Sequence, residues 1–166
     1  MQASRWVHAS PGFVGFDVTR SDQAGRNECF RAIEESAAYV SRGHRAIVEE
    51  VAAIEIGRLI MTGGAAKGRL WPQIIADALG VPVEIPAVKE STSLGAAICA
   101  GVGAGIYDDA AQAGARLLEI ERTYEPNPQA AERYAALYEQ WLELYRRALE
   151  LSEAGLARPL WRAAGA

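Results

Sequence analysis

The chain is poor in the residues that cross-link or bind metals: its 166 positions hold two cysteines, Cys29 and Cys99, and two histidines, His8 and His44. Two thiols so far apart make neither a disulfide framework nor a zinc site, and read as reduced cysteines filling small gaps in the core of a cytoplasmic protein. A strong charge of one sign is also missing. Lys and Arg number 17 against 21 Asp and Glu, a net charge of -4, so nothing draws the chain generally to nucleic acid or to an anionic membrane. No apolar run is long enough to span a bilayer. The longest uncharged stretch, residues 91–107, stops short of about 18 apolar positions, is rich in Gly and Ala, and is flanked by Glu90 and Asp108. Residues 1–16 show no apolar signal core after Arg5 and no small-residue cleavage pattern. Internal repeats and low-complexity tracts are absent as well.

What is present is a globular composition, half hydrophobic and 23% charged, of a length suited to one domain. Residues 1–25 read as irregular, punctuated by Pro11, Gly12, Gly15 and Gly25, with Phe13, Val14 and Phe16 their only apolar cluster. A helix capped by Asn27 comes next, in which Ile33, Ala37, Val40, His44, Ile47, Val48 and Val51 recur at helical spacing and predict a buried face. Residues 57–62 and 81–85 are short apolar runs between turn signals, as buried strands are. Between them lies a helix over 69–79 ended by Gly80. Further helices are predicted over 90–103, 108–118 and 129–151, the last after a loop with Pro126 and Pro128. Its Tyr134, Tyr138, Trp141 and Tyr145 share one face, a stripe that reads as core or interface. After Gly155 the tail reads as loosely ordered except where Trp161 anchors it. The strand-helix-strand order calls for a parallel pair. Two buried strands are too few to stand alone, so the chain reads as a piece of a larger α/β domain.

Two segments carry chemistry. In residues 60–83, IMTGGAAKGRLWPQIIADALGVPV, a strand runs through Gly63, Gly64, Ala65 and Ala66 into a helix. Small residues there let backbone N–H groups approach an anion, although the spacing matches neither the P-loop nor the dinucleotide fingerprint, and a plain tight turn fits it as well. In residues 90–97, Glu90-Ser91-Thr92-Ser93-Leu94-Gly95-Ala96-Ala97, with Gly101, Gly103 and Gly105 beyond, a helix has a face without bulk. Close helix packing explains that face; a helix connecting two lobes that close over a nucleotide explains it too.

Three blocks in this order, RAIEESAAY (31–39), TGGAAKGRLWPQIIADALGVPVEIP (62–86) and KESTSLGAAICAGVGAGIY (89–107), resemble the C-terminal domain of the FGGY carbohydrate kinases. HASPGF, ERTYEPNP and GLARPLW point within that family to the autoinducer-2 kinase branch, and the likeness extends over nearly the whole of residues 1–166. The resemblance implies a partial actin-like, hexokinase-like ATPase domain of the ribonuclease H-like α/β class, with a strand-helix-strand core, several helices and a long C-terminal helix. It places Gly63 and Gly64 beside ATP phosphates and adenosine, continues that loop through Ala65, Ala66, Lys67 and Gly68, and sets Gln73 on the helix walling the adenine. Gly68 stands where relatives often carry Ser or Asn, which removes a side-chain bond to adenine or ribose. Glu90, Ser93, Gly95 and Ala96 fall on the helix connecting the lobes.

The resemblance also implies what these residues omit. The family's aspartate base, its threonine-and-glycine phosphate loop and its sugar-binding domain all belong N-terminal to the matched blocks. Neither Asp17 nor Asp22 stands in the catalytic motif, and neither histidine has the partner pattern of a base. The expected role is therefore half of a nucleotide cleft. ATP and Mg²⁺ act with the missing N-terminal part, no catalytic residue and no metal ligand are supplied here, and the chain alone is inactive. A homo-oligomer or a complex with the missing half is expected, because an unpaired strand edge and an apolar helix face promote association. The alternatives are a pentulose or tetritol kinase fragment, or a non-catalytic nucleotide-binding or self-associating remnant.

Overall fold

The computed structural model describes residues 7–17, 19–20 and 25–162. In chain order the elements are β1 (Val7–His8), α1 (Arg26–Ala52), β2 (Leu59–Ile60), a 3-10 turn (Gly64–Lys67), α2 (Leu70–Leu79), β3 (Val83–Pro86), α3 (Ser91–Gly103), α4 (Ala110–Leu117), β4 (Ile120–Tyr124), α5 (Pro128–Glu153) and β5 (Trp161–Arg162). Two compact units result: Ala37–Glu132, and the described residues of Met1–Ser36 with Arg133–Ala166.

The first unit is built on a three-stranded sheet of order β2-β3-β4. The predicted parallel pair is there, with Leu59 opposite Val83 and Ile60 opposite Glu84, but the run 57–62 is not the buried strand expected: β2 keeps two residues, Leu59 half-buried and Ile60 exposed, because it lies at the edge of the sheet. Its ladder continues at both ends through Leu59 N–H to Pro82 O (2.9 Å) and Met61 N–H to Glu84 O (2.9 Å). The third strand was missed by sequence reading: residues expected as loop form β4, antiparallel to β3 from Val83–Tyr124 to Pro86–Ile120, with an irregularity at Ile85 and Pro86. Charged Glu121 and Arg122 on an exposed edge strand hide the usual hydrophobic alternation.

Helix α2 supplies most of the core, with Pro72, Ile74, Ile75, Ala76, Ala78 and Leu79 buried beside Val83 and Ile85 of β3. Pro72 is tolerated because it falls in the first turn, where a missing N–H costs no intrahelical bond. Gly80 ends the helix in the left-handed conformation (φ 68°), its N–H bonded to Ala76 O. The last carbonyls of α2 are also satisfied from α1: Arg42 donates to Ala78 O (2.9 Å) and Arg45 to Leu79 O (2.8 Å). Buried Asp77 accepts from Gln73 Nε2 and from the backbone N–H of Asn127, both at 2.8 Å. The Asn127 side chain then caps α5 by accepting from the N–H groups of Gln129 and Ala130.

Helix α1 runs unbroken through Gly43, but two expectations about it need correction. Asn27 lies inside the first turn; the turn closes through Cys29 N–H to Gly25 O, so Gly25 holds the capping position. The face predicted to be buried is open: Ile47, Val48 and Val51 are 53%, 46% and 81% exposed, and α1 buries Ala38 and Tyr39 instead. Beside the open face, an apolar groove of about 350 Å³ runs between Val48, Ile56, Leu59, Ile60 and Met61. Cys99 is exposed and Cys29 half-buried, so Cys99 is not a core filler.

In the second unit β1 and β5 pair antiparallel, Val7 with Arg162 and His8 with Trp161. His8 Nδ1 lies 3.3 Å from the Tyr145 hydroxyl, and buried Ser152 accepts from Ser10 N–H at 3.1 Å. Along α5, Tyr138, Trp141 and Tyr145 stack at 5.2–6.1 Å between centroids. Buried Tyr134 donates to Glu35 (2.8 Å) and accepts from Arg31 (2.7 Å). Burial pushes its hydroxyl pKa up, the Glu35 bond acts in the same direction, and Arg31 opposes both.

Glu49 secures the exit from α1. Its carboxylate accepts from Ile56 N–H (2.8 Å) and from Arg45 (2.9 Å); chiefly the backbone bond, with help from Arg45, holds its pKa below the ordinary value against the opposing effect of burial. A carboxyl group depressed in the fold adds stability that is present above its unfolded pKa and lost as pH falls through its folded one. Melting curves should therefore show Glu49→Gln less stable than wild type at neutral pH, the gap closing as pH falls below the ordinary glutamate range. A gap that widened on acidification would contradict this account.

Candidate functional site

Parallel pairing puts the C-terminal ends of β2 and β3 side by side, and three bonds join the segments that extend from them. Gly63 N–H donates to Lys89 O (2.8 Å), the Thr62 and Ser91 hydroxyls lie 3.0 Å apart, and Lys67 pairs with Glu90 (3.0 Å). The glycine turn and the start of α3, separate in sequence, thus form one locus. Thr62 and Lys89 were not singled out by sequence reading, and Ser91 only within the run 90–97. Of these, Thr62 alone, at a strand end before a glycine pair, offered a signal.

Gly63 is the conformational key. At φ 74° and ψ -160° it occupies a region almost closed to any residue with a side chain, and from it the chain enters the 3-10 turn Gly64–Lys67. That turn closes through Ala66 N–H to Gly63 O, which leaves the N–H groups of Gly64 and Ala65 without intrahelical acceptors. A Cβ at Gly63, Gly64 or Gly68 would meet no atom within 4 Å, so the small residues leave open space that a ligand can approach closely. Ala65 is half-buried and Ala66 buried, while Lys67 and Glu90 are both well exposed.

The other predicted site residues lie further out. Gln73 spends its amide N–H groups on Asp77 and on Glu125 O (2.9 Å), so only its carbonyl oxygen is left to face a ligand. On α3, Ser93 and Ala96 are exposed and Gly95 half-exposed, and a Cβ at Gly95 would touch nothing. Close packing is confined to Gly101, where a Cβ would come within 2.6 Å of the Tyr107 ring. Lys89 also bonds the Glu121 carboxylate and holds its pKa below the usual range. Asp17 is occupied locally, accepting from Thr19 N–H and hydroxyl; Asp22 lies outside the described residues. His44 is exposed at the apolar groove. Among the described residues no group of three His, Cys, Asp or Glu side chains could hold a metal ion, and no helix is long and apolar enough to cross a membrane.

A parallel strand pair whose C-terminal ends carry a glycine turn and a small-residue helix belongs to a mixed α/β domain, and comparison with known proteins identifies the family. The profile of the FGGY family of carbohydrate kinases, C-terminal domain, matches residues 3–104. The chain belongs to that family. Over 165 residues, 99% of the chain, it is 42% identical to autoinducer-2 kinase of Escherichia coli (strain K12) and 39% identical to that of Klebsiella pneumoniae subsp. pneumoniae. It spans 31% of the length of each. Among solved structures, xylulose kinase from Rhodospirillum rubrum superposes with a TM-score of 0.68 at 27% identity, over 84% of this chain and 28% of that one. Xylulose kinase from Lactobacillus acidophilus gives 0.70 at 24% identity, over 88% and 28%, a likeness of fold.

Because a Cβ at Gly63 meets open space, the cost of placing one there is backbone strain. Gly63→Val should lower unfolding stability by about 1–3 kcal/mol. Gly68→Ala, at φ -80° and equally open, should leave it unchanged. Equal melting temperatures for the two variants would refute the assignment of strain.

Proposed function

We propose that the chain is the nucleotide-side part of an ATP-dependent carbohydrate kinase of the autoinducer-2 kinase type, which transfers the γ-phosphoryl group to a primary hydroxyl of a small, open-chain, sugar-like substrate. The observation that carries this reading is the glycine turn: a strand end held by Gly63 against Lys89, followed by two N–H groups without intrahelical acceptors and open space where side chains would stand. Gly63, Gly64, Ala65 and Ala66 present backbone to the nucleotide, Lys67 supplies a cation on an exposed arm, and Gln73 on α2 walls the adenine side. Glu90, Ser93, Gly95 and Ala96 lie on the helix that connects this part to the other lobe. ATP, held by the backbone of Gly63, Gly64, Ala65 and Ala66 and by Lys67, would supply the phosphoryl group, and Mg²⁺ arriving with it would offset the phosphate charge. These residues bind and orient; the base that accepts the hydroxyl proton comes from the N-terminal part, and so does the sugar site. A pentulose or tetritol as substrate is compatible with the same residues. The reading also places the protein in the cytoplasm, where ATP is available.

Calorimetric titration with Mg·ADP tests the nucleotide reading. Saturable binding is expected, with about 2.7 kcal/mol of added stability at 100 times the Kd. Gly64→Leu fills open space without backbone strain, so it should abolish binding and leave the melting temperature of the free protein in place. Binding that survived in Gly64→Leu would refute the assignment. Phosphoryl transfer by the purified chain alone would refute the absence of a base.

A second reading, association, is favoured by one observation: Val48 on the open face of α1 and Ile60, 46% and 44% exposed, line the same apolar groove. Contiguous apolar surface of this sort marks an interface. Light scattering should find a homo-oligomer, or a stable complex once the N-terminal part is supplied; a strict monomer that ignores that part would count against it.

A further inference from the structure

Next to the glycine turn lies a cleft of about 200 Å³ whose walls carry Lys67, Arg69, Lys89 and Arg122 against a single carboxylate, Glu121. Four cations around one small cleft are unexpected in a protein of net charge -4. They come from three places, the end of the 3-10 turn, the loop after β3 and strand β4, so no sequence motif joins them. Their pairing is incomplete. Lys89 is held by Glu121, and Lys67 by Glu90 in a pair so exposed that it contributes little and exchanges readily. Arg122 gives one N–H to the Tyr124 hydroxyl (3.2 Å) and lies 5.9 Å from the centre of that ring. The Arg69 side chain, at the N-cap of α2, makes no hydrogen bond or ion pair among the described residues.

We propose that this cleft, which shares Ala66, Lys67 and Gly68 with the glycine turn and so adjoins the nucleotide seat, binds a phosphomonoester of a few carbons through Arg69 and Arg122, residues that the nucleotide reading does not use. Arg69 and Arg122 present planar forks of N–H donors, the geometry that matches a phosphate dianion, and Lys67 exchanges Glu90 for the ligand. Buried Ile85 lines the cleft and offers apolar contact to the carbon chain. At about 200 Å³ the cleft is smaller than the roughly 300–1,000 Å³ of pockets that enclose drug-sized molecules, a size that suits a small phosphate ester better than a whole nucleotide. A phosphate group can arrive as free phosphate, on a small polyol or at the end of a nucleotide, and the three are separable by experiment.

The full chain is titrated calorimetrically with glycerol 3-phosphate, inorganic phosphate and glycerol, with and without saturating Mg·ADP. Saturable binding of glycerol 3-phosphate is expected, weakening as salt rises. Loss of one fork of charge-assisted bonds should weaken it about tenfold or more in Arg69→Ala and in Arg122→Ala. Both side chains are exposed, and unchanged melting curves would confirm that the variants fold. Weaker binding of inorganic phosphate, and none of glycerol, would show that the cleft reads both the phosphate and its carbon chain. Absence of binding by either phosphate up to about 10 mM would overturn the proposal. So would unchanged affinity in both arginine variants, or displacement of the probe by Mg·ADP, which would make the cleft the seat of the nucleotide's own phosphates. The nucleotide reading fails separately: Gly64→Leu removes ADP binding and leaves the phosphomonoester bound, whereas a wild-type chain that binds the phosphomonoester but no ADP sinks the nucleotide reading alone.

Discussion

The parallel register of β2 on β3 is the constraint on which the site depends. Antiparallel pairing would send the ends of the two strands in opposite directions. Parallel pairing with Leu59 opposite Val83 and Ile60 opposite Glu84 delivers both C-terminal ends to one edge of the sheet, where Gly63 can bond Lys89 and Thr62 can meet Ser91. Such a pair needs a long crossover, and α2 is that crossover. Its buried face makes the core that holds the two strands in register, and its first residues border the glycine turn. Core and site are therefore set by the same connection.

Charge is used in two ways around this frame. Where a carboxylate or guanidinium closes a backbone end, it is partly withdrawn from water and has several partners: Asp77 with Gln73 and Asn127, Glu49 with Arg45 and Ile56, Arg42 with a carbonyl of α2. These groups satisfy backbone that would otherwise be buried unpaired, and losing one would leave an unsatisfied donor or acceptor. Around the glycine turn the cations are exposed or lightly held, as Lys67 and Arg69 are. That difference separates groups that maintain the fold from groups free to meet a ligand.

Much of the fold was legible in the residues. Gly80 marked the end of α2, the helix expected from 108 begins at Ala110 with Asp109 capping it through Gln112 N–H, and the apolar runs around Leu59 and Val83 located the parallel strands. Strand β4 was not legible, because an edge strand need not bury a face and its Glu121 and Arg122 read as loop. The apolar positions of α1 misled for a related reason. Helical periodicity reports that a face is apolar, not what covers it, and Ile47, Val48 and Val51 are uncovered in a chain that spans under a third of its relatives' length. The small residues of α3 were ambiguous in the same way: Gly101 packs against Tyr107, whereas Gly95 faces open space.

By itself the sequence determined the family, the strand-helix-strand order and the glycine pair, since these depend on residue type and local spacing. Only the tertiary structure decided which distant residues share a surface. That Lys67 faces Glu90, that Lys89 is shared between Gly63 and Glu121, and that Arg69 and Arg122 line one cleft all result from strand pairing across long separations. Backbone hydrogen bonding sets that pairing without regard to what the exposed side chains at the strand ends and edges will do, so their pattern in sequence carries no record of the neighbours they acquire.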